Sequence, residues 1–198
     1  MFSKAYFEQI HPQFPFLHHP TYLQWEDEVM NAVEGGYSPE SMKAFFVYAV
    51  AAVGALAGPL AGGSLPEGLY ASAESLFESV MVLNTLESIQ AILCCAMYSL
   101  RSPVGVSIWT LSGLALRQCT EFGLHRKIPW SKVESNFLKT QMRRRVFWCS
   151  YNLDRAVAIT LGRPMGIADA DIDVEVIPRP NRGYIYNSIS KMLINNIL

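Results

Sequence analysis

The residues best placed to do chemistry lie between Lys139 and Asp173. Arg143, Arg144 and Arg145 stand in a row with Lys139 one helical turn earlier, a grouping that could bind phosphate or serve as a nuclear-import patch. Successive helical residues point about 100° apart, so three adjacent arginines cannot all address one ligand. At least one must turn towards the core, where an unpaired charge is costly. Structural ion pairing is therefore the favoured reading, with Asp154, Asp169, Asp171 and Asp173 as the pool of partners, and import is kept as the alternative. Arg163, in Gly162-Arg163-Pro164, has two readings also. It is either an anchor for an anion or effector at a helix end, or a cation that complements the helix C-terminus and pins the acidic segment that follows, and the second is favoured.

Other constellations fail on spacing. Asp169-x-Asp171-x-Asp173 imitates the start of a calcium loop, but Val174 occupies the glycine position and Pro180 that of the closing glutamate. The histidines, His11, His18, His19 and His125, show no i, i+4 metal pair, and the first three are expected to hydrogen-bond within a surface strap rich in proline. Cys94, Cys95, Cys119 and Cys149 lie in apolar stretches without Cys-x-x-Cys spacing and read as buried thiols of a reducing compartment. The sequence carries no Gly-x-Ser-x-Gly elbow, phosphate-binding loop or dinucleotide fingerprint, so an enzyme is not expected, nor a metal or cofactor in this chain. Trp109, Phe147, Trp148 and Tyr151 could line a ligand pocket between helices, although aromatics at such spacing are more often plain core.

The elements that must position these residues are helical almost throughout. Ser38-Pro39-Glu40 predicts a helix start, followed by Met42, Phe45, Phe46, Ala49, Val53 and Leu56 at helical spacing. Ser64-x-x-Glu67 resembles a capping box ahead of a buried stripe of Leu69, Ala73, Leu76, Val80 and Leu83. A short link at Asn84-Thr85 forces an antiparallel hairpin with the next helix, which carries Leu86, Ile89, Leu93, Ala96, Met97 and Leu100. Ser102-Pro103 predicts a further helix start, with its stop at Gly123, where a left-handed turn lets Leu124 fold back. Ser131-x-x-Glu134 predicts the start of the longest helix, from about 132 to 161, closed by Gly162 and Pro164. Beyond it, Asp169, Asp171, Asp173 and Glu175 alternate with apolar residues in an irregular acidic strap, and the tail from Ser188 reads as a helix just beginning. The fold class is all-α: a multi-helix bundle with antiparallel helical hairpins.

At 198 residues, with 51% hydrophobic and 17% charged, the chain suits one large domain able to bury roughly 70% of its unfolded surface. A net charge of −1 removes the electrostatic case for general nucleic-acid binding. Ala44 to Ala61 is uncharged and contains Gly54-x-x-x-Gly58, which imitates a membrane span; a fully buried central helix is the favoured reading, because Pro59 and the glycines shorten it.

One family resemblance runs through these residues. Arg143-Arg144-Arg145, Phe147-Trp148, Tyr151, Asp154-Arg155, Gly162-Arg163-Pro164, Asp171-Ile172 and Pro178 resemble the signature of the middle homology region of fungal zinc-cluster transcription factors, the xylanolytic-activator-type regulatory domain. Trp109, Gly113, Ala115, Arg117 and Gly123-Leu124-His125-Arg126 are similar to a second block of the same family, in the same order, and Tyr6-Phe7, His11-Pro12, Phe14-Pro15 and Pro20-Thr21 to its opening. The resemblance implies a single regulatory domain over 1–198, incomplete at its C-terminus, that controls transcription by RNA polymerase II in the nucleus. Its implied partners are other domains of a full-length regulator, the transcription machinery or a small-molecule effector, with no membrane and no direct nucleic-acid contact. Zinc would belong to a six-cysteine DNA-binding module that four scattered cysteines cannot form. The alternative is a free-standing helical interaction or ligand-binding protein acting as a decoy.

Overall fold

A computed structural model describes residues 2–58, 63–127 and 137–176. Among these, seven α-helices follow one another without a strand: α1 (Phe2–Gln9), α2 (His19–Glu34), α3 (Ser41–Leu56), α4 (Leu65–Met81), α5 (Leu86–Ser99), α6 (Ile108–Glu121) and α7 (Phe137–Leu161). A short 3-10 turn, Asp169–Asp171, sits in the strap after α7.

Two helices form the centre because they are apolar on every side. α3 buries an almost continuous run from Ala44 to Ala55 and touches α1, α2, α4 and α5. α5 buries every residue from Ser88 to Tyr98 and touches α3, α4, α6 and α7. The segment that imitates a membrane span is thus the core helix, and no described helix is long and apolar enough to cross a membrane. Its Gly54 has a packing reason: a Cβ there would run into the backbone carbonyl of Phe2, so glycine is what lets α1 lie directly on α3.

The α4–α5 hairpin is antiparallel. Tyr70, early in α4, stacks on Tyr98, late in α5, with ring centroids 3.7 Å apart. At the other end the Ser88 hydroxyl donates to the Val80 carbonyl at 2.8 Å and accepts the Thr85 N–H at 3.2 Å. Asn84, at φ 48°, makes the left-handed turn between them.

Four helix starts or stripes differ from expectation. α3 begins at Ser41, not at Pro39, because Glu40 has an extended backbone and is the N-cap; its carboxylate instead meets Lys43 at 2.9 Å. Ser64 makes no side-chain capping bond, so the capping box does not form. The α4 stripe ends early: the helix stops at Met81 and Leu83 is 48% exposed, while Tyr70 joins Ala73 and Val80 in the core. α6 begins at Ile108, six residues after Ser102, since Pro103 and Gly105 at φ 134° hold 102–107 in a loop. The predicted start at Ser131, the closing Pro178 and the tail from Ser188 lie outside the described residues.

The proline-rich opening is anchored by hydrogen bonds to backbone. His11 Nε2 pairs with the Leu17 carbonyl at 2.8 Å, and the buried Gln90 amide of α5 donates to the Phe16 carbonyl at 2.5 Å. His18 pairs with Thr21 as expected of the strap, but His19 opens α2 and stacks on Phe7 with centroids 3.9 Å apart.

Candidate functional site

Several motif residues, among them Arg126, Arg144, Trp148, Tyr151, Asp154 and Arg155, meet at the face of α7 that carries the strap. Two identical stops build it. At the end of α6, Gly123 at φ 63° donates to the Thr120 carbonyl at 3.0 Å and Leu124 to that of Cys119 at 2.8 Å. At the end of α7, Gly162 at φ 63° donates to the Ile159 carbonyl at 3.3 Å and Arg163 to that of Ala158 at 2.8 Å. Each is a left-handed glycine closing a helix by a six-to-one bond, as expected for Gly123. The first directs residues 124–127 along α7, and the second turns the chain back so that 165–176 runs over the same helix.

The strap is tied down along its length. Asp154 in α7 is 1% exposed and accepts the Gly166 N–H at 3.0 Å. Gly166 packs closely here: a Cβ there would stand 2.9 Å from the Leu116 side chain and 3.2 Å from the Asp154 carboxylate, so both would have to shift. Arg155 donates to the Ile167 carbonyl at 2.6 Å and to Asp169 at 2.7 Å, pairs with Asp154 at 3.4 Å, and lies 4.4 Å over the Tyr151 ring. The Tyr151 hydroxyl donates to the same Asp169 oxygen at 2.8 Å. Further along, Asp173 and Val174 both donate their N–H groups to the His125 carbonyl at 3.1 Å, and Asp173 pairs with Arg126 at 3.1 Å. Glu175 closes the lattice, with Arg144 at 2.6 Å and its backbone carbonyl under the Trp148 indole N–H at 3.0 Å.

The electrostatics follow this geometry. Hydrogen bonds from Arg155, then from Tyr151, hold the Asp169 carboxyl below its usual range. Burial works against the charge on Arg155, but its bonds to Asp169 and Tyr151 outweigh it and raise its pKa. Burial, then the bond to Asp169, pushes the Tyr151 phenol up. Asp154, Asp169, Asp173 and Glu175 each pair with an arginine. The thiols are equally quiet: burial pushes Cys95 up to about 11 and Cys119 up to about 12, so neither is a thiolate near neutral pH.

The arginine triplet divides as the 100° rule requires, but with other partners. Arg143 donates to the Phe122 carbonyl at 3.2 Å, Arg144 takes Glu175, and Arg145 makes no ion pair or hydrogen bond among the described residues. Asp154 and Asp169 serve Arg155, and Asp173 serves Arg126, so the expected pool holds no carboxylate partner for the triplet. Sequence reasoning missed Glu175 as the partner, although its place in the acidic alternation was the available signal. Arg163 does not pin the strap: it meets no carboxylate among the described residues and lies 5.1 Å over the Trp109 ring. The four suggested pocket aromatics take different places, three of them packed on one another. Phe147 is buried, Trp148 and Tyr151 bond to strap residues, and Trp109 sits apart beneath Arg163. Gly113 and Arg117 lie on α6 away from the lattice, Arg117 exposed. A groove of about 190 Å³ does open elsewhere, between α2, α5 and α7, lined among others by Tyr22, Trp25, Gln90 and Met142.

Fold and site together define an all-helical domain whose motif polar residues lash the strap to α7. The chain belongs to the family of the fungal specific transcription factor domain, which matches residues 4–191. It is 33% identical over 195 residues to Protein STB5 of Saccharomyces cerevisiae, an alignment covering 93% of this chain and 26% of that protein. The negative regulator of pleiotropic drug resistance STB5 of Candida glabrata is 32% identical, over 90% of this chain and 19% of its own length. The positive regulator of purine utilization of Emericella nidulans is 26% identical, over 87% and 22% respectively. The chain therefore spans about a quarter or less of these relatives. No solved structure matches it.

Proposed function

We propose that this domain acts within a zinc-cluster regulator in the nucleus, governing transcription of target genes by RNA polymerase II through contacts with other domains or with the transcription machinery. The observation that carries the reading is the coincidence of the family match with the lashed α6–α7–strap unit, in which motif residues from both blocks meet. Zinc and DNA contact would reside in a separate six-cysteine module. The names of two relatives carry opposite signs, negative and positive, so the domain type itself does not dictate activation or repression. A small effector would find room in the groove between α2, α5 and α7.

The test is a fusion of the whole chain between a heterologous DNA-binding module and an activation segment, read on a reporter gene. Insertion of the wild-type chain changes reporter output, and Asp154→Ala, which frees the strap, returns it towards that of the fusion without the chain. Equal output from all three fusions at equal protein level contradicts the reading.

A further inference from the structure

We propose that the cavity beside the 102–107 loop binds an oxyanion, the phosphate group of a small metabolite, with Arg163 as its charged anchor. The cavity holds about 290 Å³, room for a phosphate and a short organic stem. Its walls come from the end of α5, the loop itself, the start of α6 and Arg163 after α7. None of its lining residues is acidic, and Ser102, Ser107 and Arg163 are among its polar ones.

Arg163 is exposed, unpaired with any carboxylate among the described residues, and its guanidinium is steadied over Trp109. A cation held in place but left without a counter-charge is suited to an incoming anion. The start of α6 adds to the same field: Ser107 is the N-cap, makes no side-chain capping bond, and the first turn holds no acid. On the inner wall, the Ser99 oxygen is fully shielded and has no hydrogen-bond partner among the described residues. Gly105, at φ 134°, closes over it so tightly that a Cβ would stand 2.9 Å from that oxygen. Arg163 and the α6 terminus thus address one cavity from two elements distant in sequence, and the inference stands whether or not the domain regulates transcription.

The experiment is a titration of the isotopically labelled full chain with inorganic phosphate at constant ionic strength, followed by amide and arginine side-chain NMR. Saturable shifts at 105–108 and at Arg163 are expected. Arg163→Gln weakens binding roughly tenfold or more, as loss of a charge-assisted hydrogen bond implies. Ser107→Asp has the same effect while keeping the helix capped, because aspartate is a good N-cap but repels the anion; Arg117→Gln leaves affinity unchanged. Non-saturating shifts, shifts confined to α7 and the strap, or full affinity in Ser107→Asp overturn the site. Acetate binding as tightly as phosphate overturns the phosphate assignment.

Discussion

The half of the molecule around α3 and the half built on α6, α7 and the strap are held in different ways. Around α3 the cohesion is apolar and close: α1 rests on Gly54, Trp25 stacks on Phe46 at 5.2 Å, and Phe45 meets Phe46 edge-on. Across α7 the strap is irregular, and Asp169, Asp173 and Glu175 reach cations of α7 and of the turn after α6. An irregular segment has unpaired backbone groups that a helix satisfies internally, so it needs side chains such as Asp154 and Trp148 to meet them. The difference teaches that the α3 half is held by close apolar fit, whereas the other half is held by particular charge and backbone pairings that fix an irregular segment.

The contrast can be broken hardest at Asp154. Asp154→Ala leaves Arg155 without its buried partner and Gly166 without its acceptor, and costs about 3–5 kcal/mol of stability in urea denaturation. Gly54→Ala is next: the added methyl meets the Phe2 carbonyl, α1 is displaced, and overpacking costs about 1–3 kcal/mol, with faster amide exchange concentrated in α1. Gly123→Ala puts a Cβ into a left-handed turn and costs about 1–2 kcal/mol by the same assay. The smallest effect is Arg144→Gln, about 1 kcal/mol or less, because its pair with Glu175 is partly exposed and screened by salt.

Acid sharpens the same comparison. The Asp169 carboxyl titrates below its unfolded range, so the stability it contributes is present above that range and is lost as pH falls through the lowered folded value. Protection of the 165–176 amides, taken relative to the intrinsic exchange rate at each pH, therefore falls at acid pH before that of α3, and Asp169→Asn removes the part of that fall that Asp169 carries.

Much of the apolar half was legible in the sequence, since helical spacing identifies α3 to α5, and in the other half the glycine stops of α6 and α7 were legible too. Helix starts were less so: Ser38-Pro39-Glu40 and Ser102-Pro103 both look like caps, yet the backbone of Glu40 and of Gly105 places each start further on. The motif residues were found, but their pairings were not. Which acid meets which arginine depends on where Gly162 sends the strap, a tertiary fact that spacing along α7 does not contain. Arg163 shows this most clearly, lying over Trp109 and not on the acids that follow it in sequence.

The most direct test is hydrogen–deuterium exchange on the wild-type chain and on Asp169→Asn at neutral pH. Faster exchange confined to 165–176 and 123–127, with α3 and α5 unchanged, is the result predicted for a strap lashed by charge onto an independent apolar core. Unchanged protection of the strap, or loss spread equally through α3 and α5, would contradict it.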